Sequence, residues 1–273
     1  MGFITISFQC TEELSEIVQA LLGGIGYEVF LDNEEGFDTS IEKENYDQEA
    51  FEEVIAPFKE QVTYEVREEE KQNWNKLWES NYEPVEVADN ILIRASFHQP
   101  EKEYDYEIVI TPKMSFGTGH HPTTTLMLRN QLTVNHKDQT VADLGCGTGI
   151  LAIMAMKLGA TSVDACDIED WSVENALENA SLNEVDVNVT VGTVEQMPKK
   201  DIYDVVLANI NRNVLLSEMP IYAGMLRSEG KLLLSGFYTE DLPVIQAAAE
   251  KEGLQYSAHK TLNNWVSAVF EKQ

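Results

Sequence analysis

Residues 140–160 read TVADLGCGTGILAIMAMKLGA: an apolar strand-length run, a turn alternating glycine with small residues, and a helix-length apolar run. A strand that is continuously apolar needs cover on both faces, as in a parallel sheet flanked by helices. From about residue 120 the unit recurs. SVDACDI leads to helix WSVENALENASLN, NVTVG follows, and YDVVLANI leads to helix VLLSEMPIYAGML. KLLLSGF leads to helix LPVIQAAAEKEG, and two closing strands, LQYSAHKTL and WVSAVFE, turn at Asn263-Asn264 as an antiparallel hairpin. The succession predicts an α/β domain with a doubly wound, mostly parallel sheet.

The front of the chain has another rhythm. FITISFQC sets Ile4, Ile6 and Phe8 on one strand face, and Thr11 then caps a helix ended by Gly23-Gly24. YEVFLD and FDTSIEK flank NEEG as a hairpin, Asp47 opens a second helix, and VTYEVRE returns as a strand. That βαββαβ order predicts a ferredoxin-like α+β domain over 1–66. Residues 67–84 carry Trp74 and Trp78 on one side of an expected linker helix. Strands around NILIRASF and YEIVITP then begin the second domain, 85–273.

A chain of 273 residues accommodates such a pair of domains. It has no 18-residue apolar stretch, and Met1 leads directly into a strand-like segment, so no membrane span or secretory leader is expected. Cys10, Cys146 and Cys166 lie far apart without CxxC spacing, which suggests neither a zinc site nor a disulfide framework. A cytoplasmic protein is expected. The 47 acidic and 19 basic residues give −28, and residues 1–80 contribute −15 of it. That field disfavours direct binding to nucleic acid. It suits either a basic protein partner or merely a soluble surface.

The turn's ligand follows from what it lacks. Counting from Gly145, a dinucleotide fingerprint needs a small residue where Ile150 stands, and no Lys-Ser/Thr phosphate loop is present. Asp143, two residues before Gly145, would repel a pyrophosphate. It suits a ligand with a cationic end beside Gly145 and Gly147. Asp167, eighteen residues after Gly149, can accept both hydroxyls of a ribose or start the following helix. A ribose partner and a cation-tolerant glycine turn describe S-adenosylmethionine better than NAD. Asn209 and Asn211 in VVLANINRN follow a buried strand, where an amide oxygen can hold an attacking amine or make a turn.

These elements resemble a class I S-adenosylmethionine-dependent methyltransferase. MSFGTGHHPTTTLML, residues 114–128, further resembles the cofactor-covering loop of the ribosomal protein L-eleven methyltransferase (PrmA-type) family, and the likeness spans the whole chain. The resemblance implies a Rossmann-like seven-stranded methyltransferase domain behind a small ferredoxin-like domain that recognises the ribosomal protein. It implies cofactor contacts at Thr124, Gly145, Asp167 and Asn209. Many members carry threonine where His120 stands here. The His120-His121 pair has no third ligand at fitting spacing, so no metal is expected. Cys146 has no implied base and reads as packing rather than as a nucleophile.

The expected reaction moves methyl groups to lysine or N-terminal amines of that large-subunit protein, free or on the ribosome, by a monomer. Asn209 orients the amine, and Phe116 and Phe237 are candidate pocket walls. Rival readings are methylation of a release-factor glutamine, a nucleotide-dependent oxidoreductase, and a non-catalytic ribosome-binding module. The first family carries Asn-Pro-Pro-Tyr where this chain has Asn209-Ile210-Asn211-Arg212.

Overall fold

Ile4, Ile6 and Phe8 alternate into the core from β1 (Gly2–Gln9), the strand on which the first unit is built. The structure is a computed structural model that describes residues 2–27, 29–33, 35–70, 83–113, 115–198 and 200–273. The chain divides into two units, Met1–Asn81 and Tyr82–Gln273. In the first, α1 (Glu12–Gly23), β2 (Val29–Asn33), β3 (Gly36–Glu42), α2 (Gln48–Ile55) and β4 (Thr63–Glu70) follow β1. The sheet order is β2-β3-β1-β4, all antiparallel, which is the ferredoxin-like arrangement.

Helices α1 and α2 bury Val18, Leu22, Phe51 and Ile55 with Phe8 and Phe37, whose rings stack at 4.6 Å. Asp47 caps α2 by accepting the Glu49 and Ala50 amides. Thr11 occupies the N-cap of α1 with an extended backbone but makes no side-chain cap bond. The β1–β4 ladder continues to Gly2↔Glu70 and so holds Arg67–Glu70 as strand, where a linker helix was expected to start. The rest of that expected helix, with Trp74 and Trp78, lies outside the described residues.

The second unit opens with a three-stranded sheet of β5 (Val85–Val87), β6 (Ile91–Arg94) and β7 (Tyr106–Val109). Helix α3 (Pro122–Gln131) precedes the main sheet, which alternates β8 (Thr140–Leu144), α4 (Ile150–Lys157), β9 (Ser162–Asp167), α5 (Asp170–Leu182) and β10 (Asn188–Val191). Then come β11 (Tyr203–Asn209), α6 (Arg212–Met225), β12 (Leu226–Tyr238), α7 (Leu242–Lys251), β13 (Leu254–Leu262) and β14 (Trp265–Lys272). The strand order is β10-β9-β8-β11-β12-β14-β13, with only β14 antiparallel to its neighbours.

Burial on both faces is visible within β11. Val205 and Leu207 join one core with α4, while Val206 and Ala208 join another with α6. At the closing hairpin Asn263 and Asn264 both take positive φ, 49° and 67°, as a tight turn between twisted strands requires. Strand order reverses between β8 and β11, so the crevice for a ligand opens beyond their carboxyl ends. Among the described residues no helix is long and apolar enough to cross a membrane.

Candidate active site

The glycine turn is pinned from two sides. The amides of Gly145 and Cys146 donate to the Cys166 carbonyl at 2.9 and 3.0 Å, tying the turn to the end of β9. From above, the Phe116 carbonyl accepts the Thr148 amide at 2.9 Å, and the Gly117 carbonyl accepts the Thr148 hydroxyl at 2.7 Å. A Cβ on Gly147, whose φ is +54°, would stand 2.3 Å from the Phe116 carbonyl oxygen. Only glycine allows that approach.

Beside the turn lies a cavity of about 460 Å³, a size typical of small-molecule sites. Gly145, Gly147, Asp167 and Asn209 all line it, with Phe116 and Ser115 from the covering loop. Asp167 Oδ2 accepts the Gly147 amide at 2.9 Å, and Oδ1 accepts the Glu169 amide at 3.1 Å. An ionised carboxylate has about four acceptor positions, so roughly two stay open toward the cavity. Bracing the start of α5 and holding a ribose are therefore compatible.

Asn209 ends β11, paired with Ser235 of β12. Its Oδ1 is buried and has no hydrogen-bond partner among the described residues, a costly arrangement unless a ligand supplies a donor. Asn211, by contrast, serves turn chemistry: its side chain accepts the Val214 amide and caps α6.

A profile described as "Ribosomal protein L11 methyltransferase (PrmA)" matches residues 3–273. The chain belongs to the ribosomal protein L11 methyltransferase (PrmA) family. A ribosomal protein L11 methyltransferase of Phocaeicola vulgatus is 38% identical over 278 residues, 99% of each chain. One of Porphyromonas gingivalis is 46% identical over 200 residues, covering 72% of this chain and 69% of the relative. The crystal structure of a ribosomal protein L11 methylase of Lactobacillus delbrueckii subsp. bulgaricus superposes with a TM-score of 0.64 at 31% identity. It spans 70% of this chain and 100% of that one.

Within this PrmA fold, two residues nominated from the sequence do not line the cavity. Asp143 is fully buried beneath the turn, and its Oδ2 accepts the Ala152 amide of α4 at 3.0 Å. Burial, aided by the nearby Asp167 charge and opposed by the Ala152 bond, pushes its carboxyl up to about 7. Through that oxygen it braces α4, while its Oδ1 is buried with no hydrogen-bond partner among the described residues. Thr124 is fully buried in α3 and its hydroxyl has no partner among the described residues. The N-terminus of that helix is instead organised by His121, whose Nδ1 accepts the Thr123 amide.

Phe116 is an exposed wall of the cavity, as expected, but Phe237 is buried in the core beside Leu232 and Leu234. Phe116 instead heads an aromatic row: Phe116–His121 at 5.2 Å, His121–Trp265 at 4.8 Å and Trp265–Tyr238 at 4.2 Å between ring centroids. Burial lowers the His121 pKa, which keeps its ring neutral. Cys146 is buried, and burial raises its thiol well above the ordinary value, consistent with packing. Among the described residues no cluster of ligating side chains could hold a metal.

Sequence reasoning missed further lining residues of the cavity: Ile168 and Trp171 beyond β9, Thr193 and Val194 beyond β10, and Val214 and Glu218 on α6. The signal was available, because residues just past adjacent strand ends, and a pair four apart on the next helix, face one crevice. The residues present fit S-adenosylmethionine. A backbone cradle suits the methionine end, a carboxylate with open acceptor positions suits the ribose, and Asn209 offers an unpartnered acceptor.

Proposed function

We propose that this chain transfers methyl groups from S-adenosylmethionine to lysine and N-terminal amines of ribosomal protein L11, acting as a monomer in the cytoplasm. The observation that carries the reading is the buried, unpartnered Oδ1 of Asn209 in the cavity shared with the glycine turn and Asp167. Gly145 and Gly147 admit the methionine end, and Asp167 accepts the ribose hydroxyls. Thr124 acts indirectly, from within α3 beneath the covering loop.

Bound S-adenosylmethionine supplies a methyl already activated on a sulfonium, so positioning contributes most of the acceleration. Asn209 Oδ1 accepts an N–H of the incoming amine and aims its lone pair. The amine must be neutral, although its reference pKa is about 10.4. The row of Phe116, His121, Trp265 and Tyr238 forms an apolar wall that lowers that pKa by desolvation, and neutral His121 adds no repelling charge. With the cofactor bound, the amine nitrogen would take the methyl as the S–C pair stays on the thioether sulfur, and the proton of the methylated amine would pass to water.

The first unit's strong negative charge favours a basic protein partner over nucleic acid. We assign residues 1–66 to substrate recognition, 67–84 to the connection and 85–273 to catalysis. The test is transfer of labelled methyl from S-adenosylmethionine to purified L11, mapped by mass spectrometry. Label on lysine and N-terminal amines is expected. Cofactor binding without labelling of L11 would remove the substrate assignment.

A further inference from the structure

Val214, Glu218 and Tyr222 lie four residues apart on α6 and so along one side of the helix. Val214 and Glu218 line the cavity, whereas Tyr222 is fully buried behind them. The Tyr222 hydroxyl donates to Glu218 Oε2 at 2.6 Å, which fixes the carboxylate. Glu218 Oε1 has no hydrogen-bond partner among the described residues. The carboxylate is thus held at the cavity wall with one acceptor oxygen uncommitted.

The rest of the cavity says what it faces. The glycine turn and Asn209 occupy the end for the methionine moiety, and Asp167 marks the ribose. The other lining residues include Ile168, Val194 and Val214 beside the polar Glu169 and Thr193, and the three apolar side chains suit a flat heteroaromatic ring. A carboxylate accepts hydrogen bonds and cannot donate. On the wall of such a cavity it selects a base edge that carries an amino group.

We propose that Glu218 is a specificity-determining residue that accepts a hydrogen bond from the exocyclic 6-amino group of the cofactor's adenine, with Tyr222 as its positioning residue. This rests on the S-adenosylmethionine reading of the site. A charge-assisted hydrogen bond of this kind is worth about tenfold or more in affinity.

The test is calorimetric binding of S-adenosylhomocysteine and of its analogue lacking the 6-amino group. Wild-type protein should bind the analogue about tenfold more weakly. Glu218→Ala should bind both compounds alike, with the affinity for the analogue unchanged from wild type. Glu218→Gln, whose amide oxygen still accepts and can keep the Tyr222 bond, should retain part of the preference. Tyr222→Phe should reduce the preference without abolishing it. Equal weakening of both compounds by Glu218→Ala would indicate packing alone and overturn the proposal. Failure of wild-type protein to bind S-adenosylhomocysteine at all would instead overturn the cofactor reading on which it rests.

Discussion

The Gly147 amide donates to Asp167 Oδ2 at 2.9 Å, so one carboxylate joins the glycine turn after β8 to the end of β9. Asp167→Ala therefore removes a brace and the proposed ribose acceptors together. Losing two charge-assisted hydrogen bonds of about 1.5 kcal/mol each weakens binding about 100-fold. Calorimetry with S-adenosylhomocysteine reads this directly, and unchanged affinity would contradict the ribose role.

Asn209 separates catalysis from stability. Its Oδ1 has no partner among the described residues, so Asn209→Ala breaks no hydrogen bond seen at that atom and should leave the melting temperature nearly unchanged or raised. Loss of the group proposed to orient the amine should lower kcat by about 100-fold or more. A variant that unfolds readily but keeps its kcat would reverse both assignments.

The succession of strands and helices was legible because apolar periodicity and turn chemistry are local. The convergence of the glycine turn, Asp167 and Asn209 on one cavity was legible because the carboxyl ends of parallel strands meet at one crevice. Phe237 was not. Gly236, at φ +98°, is an extra residue in β12 between the Ser235↔Ser267 and Phe237↔Val266 pairs. That bulge reverses the alternation and turns Phe237 onto the face of Leu232 and Leu234. The burial of Asp143 beneath the turn was not legible either. A carboxylate within a glycine turn serves a ligand or the next helix according to which side of the turn it occupies. Here its partner is Ala152, nine residues on.

That placement gives Asp143 a signature in the pH dependence of stability. Its folded carboxyl is raised to about 7, while in the unfolded chain it titrates near 3.9. Between those values the folded state keeps a proton that the unfolded state releases. The contribution to stability is full below the unfolded pKa, falls as pH rises through the window and is flat above it. Asp143→Asn should therefore gain stability relative to wild type as pH rises from about 4 to about 7. Denaturant melts of both proteins across that range measure the difference. A difference that does not change with pH would refute the assignment.

Trp265 bridges the aromatic row, with His121 on one side and Tyr238 on the other. If the row keeps water from the incoming amine, Trp265→Ala rehydrates it and lets its pKa return toward about 10.4. The rise of kcat with pH, which reports ionisation in the bound complex, should then move to higher pH. At about pH 7.5 the variant should be slower by roughly tenfold, and the deficit should shrink as the amine becomes neutral in both proteins. Affinity for S-adenosylhomocysteine should stay near wild type, because Trp265 does not line the cavity. A pH-independent loss of kcat would show that Trp265 positions the substrate without tuning its ionisation, and a large loss of cofactor affinity would move it into the cofactor site.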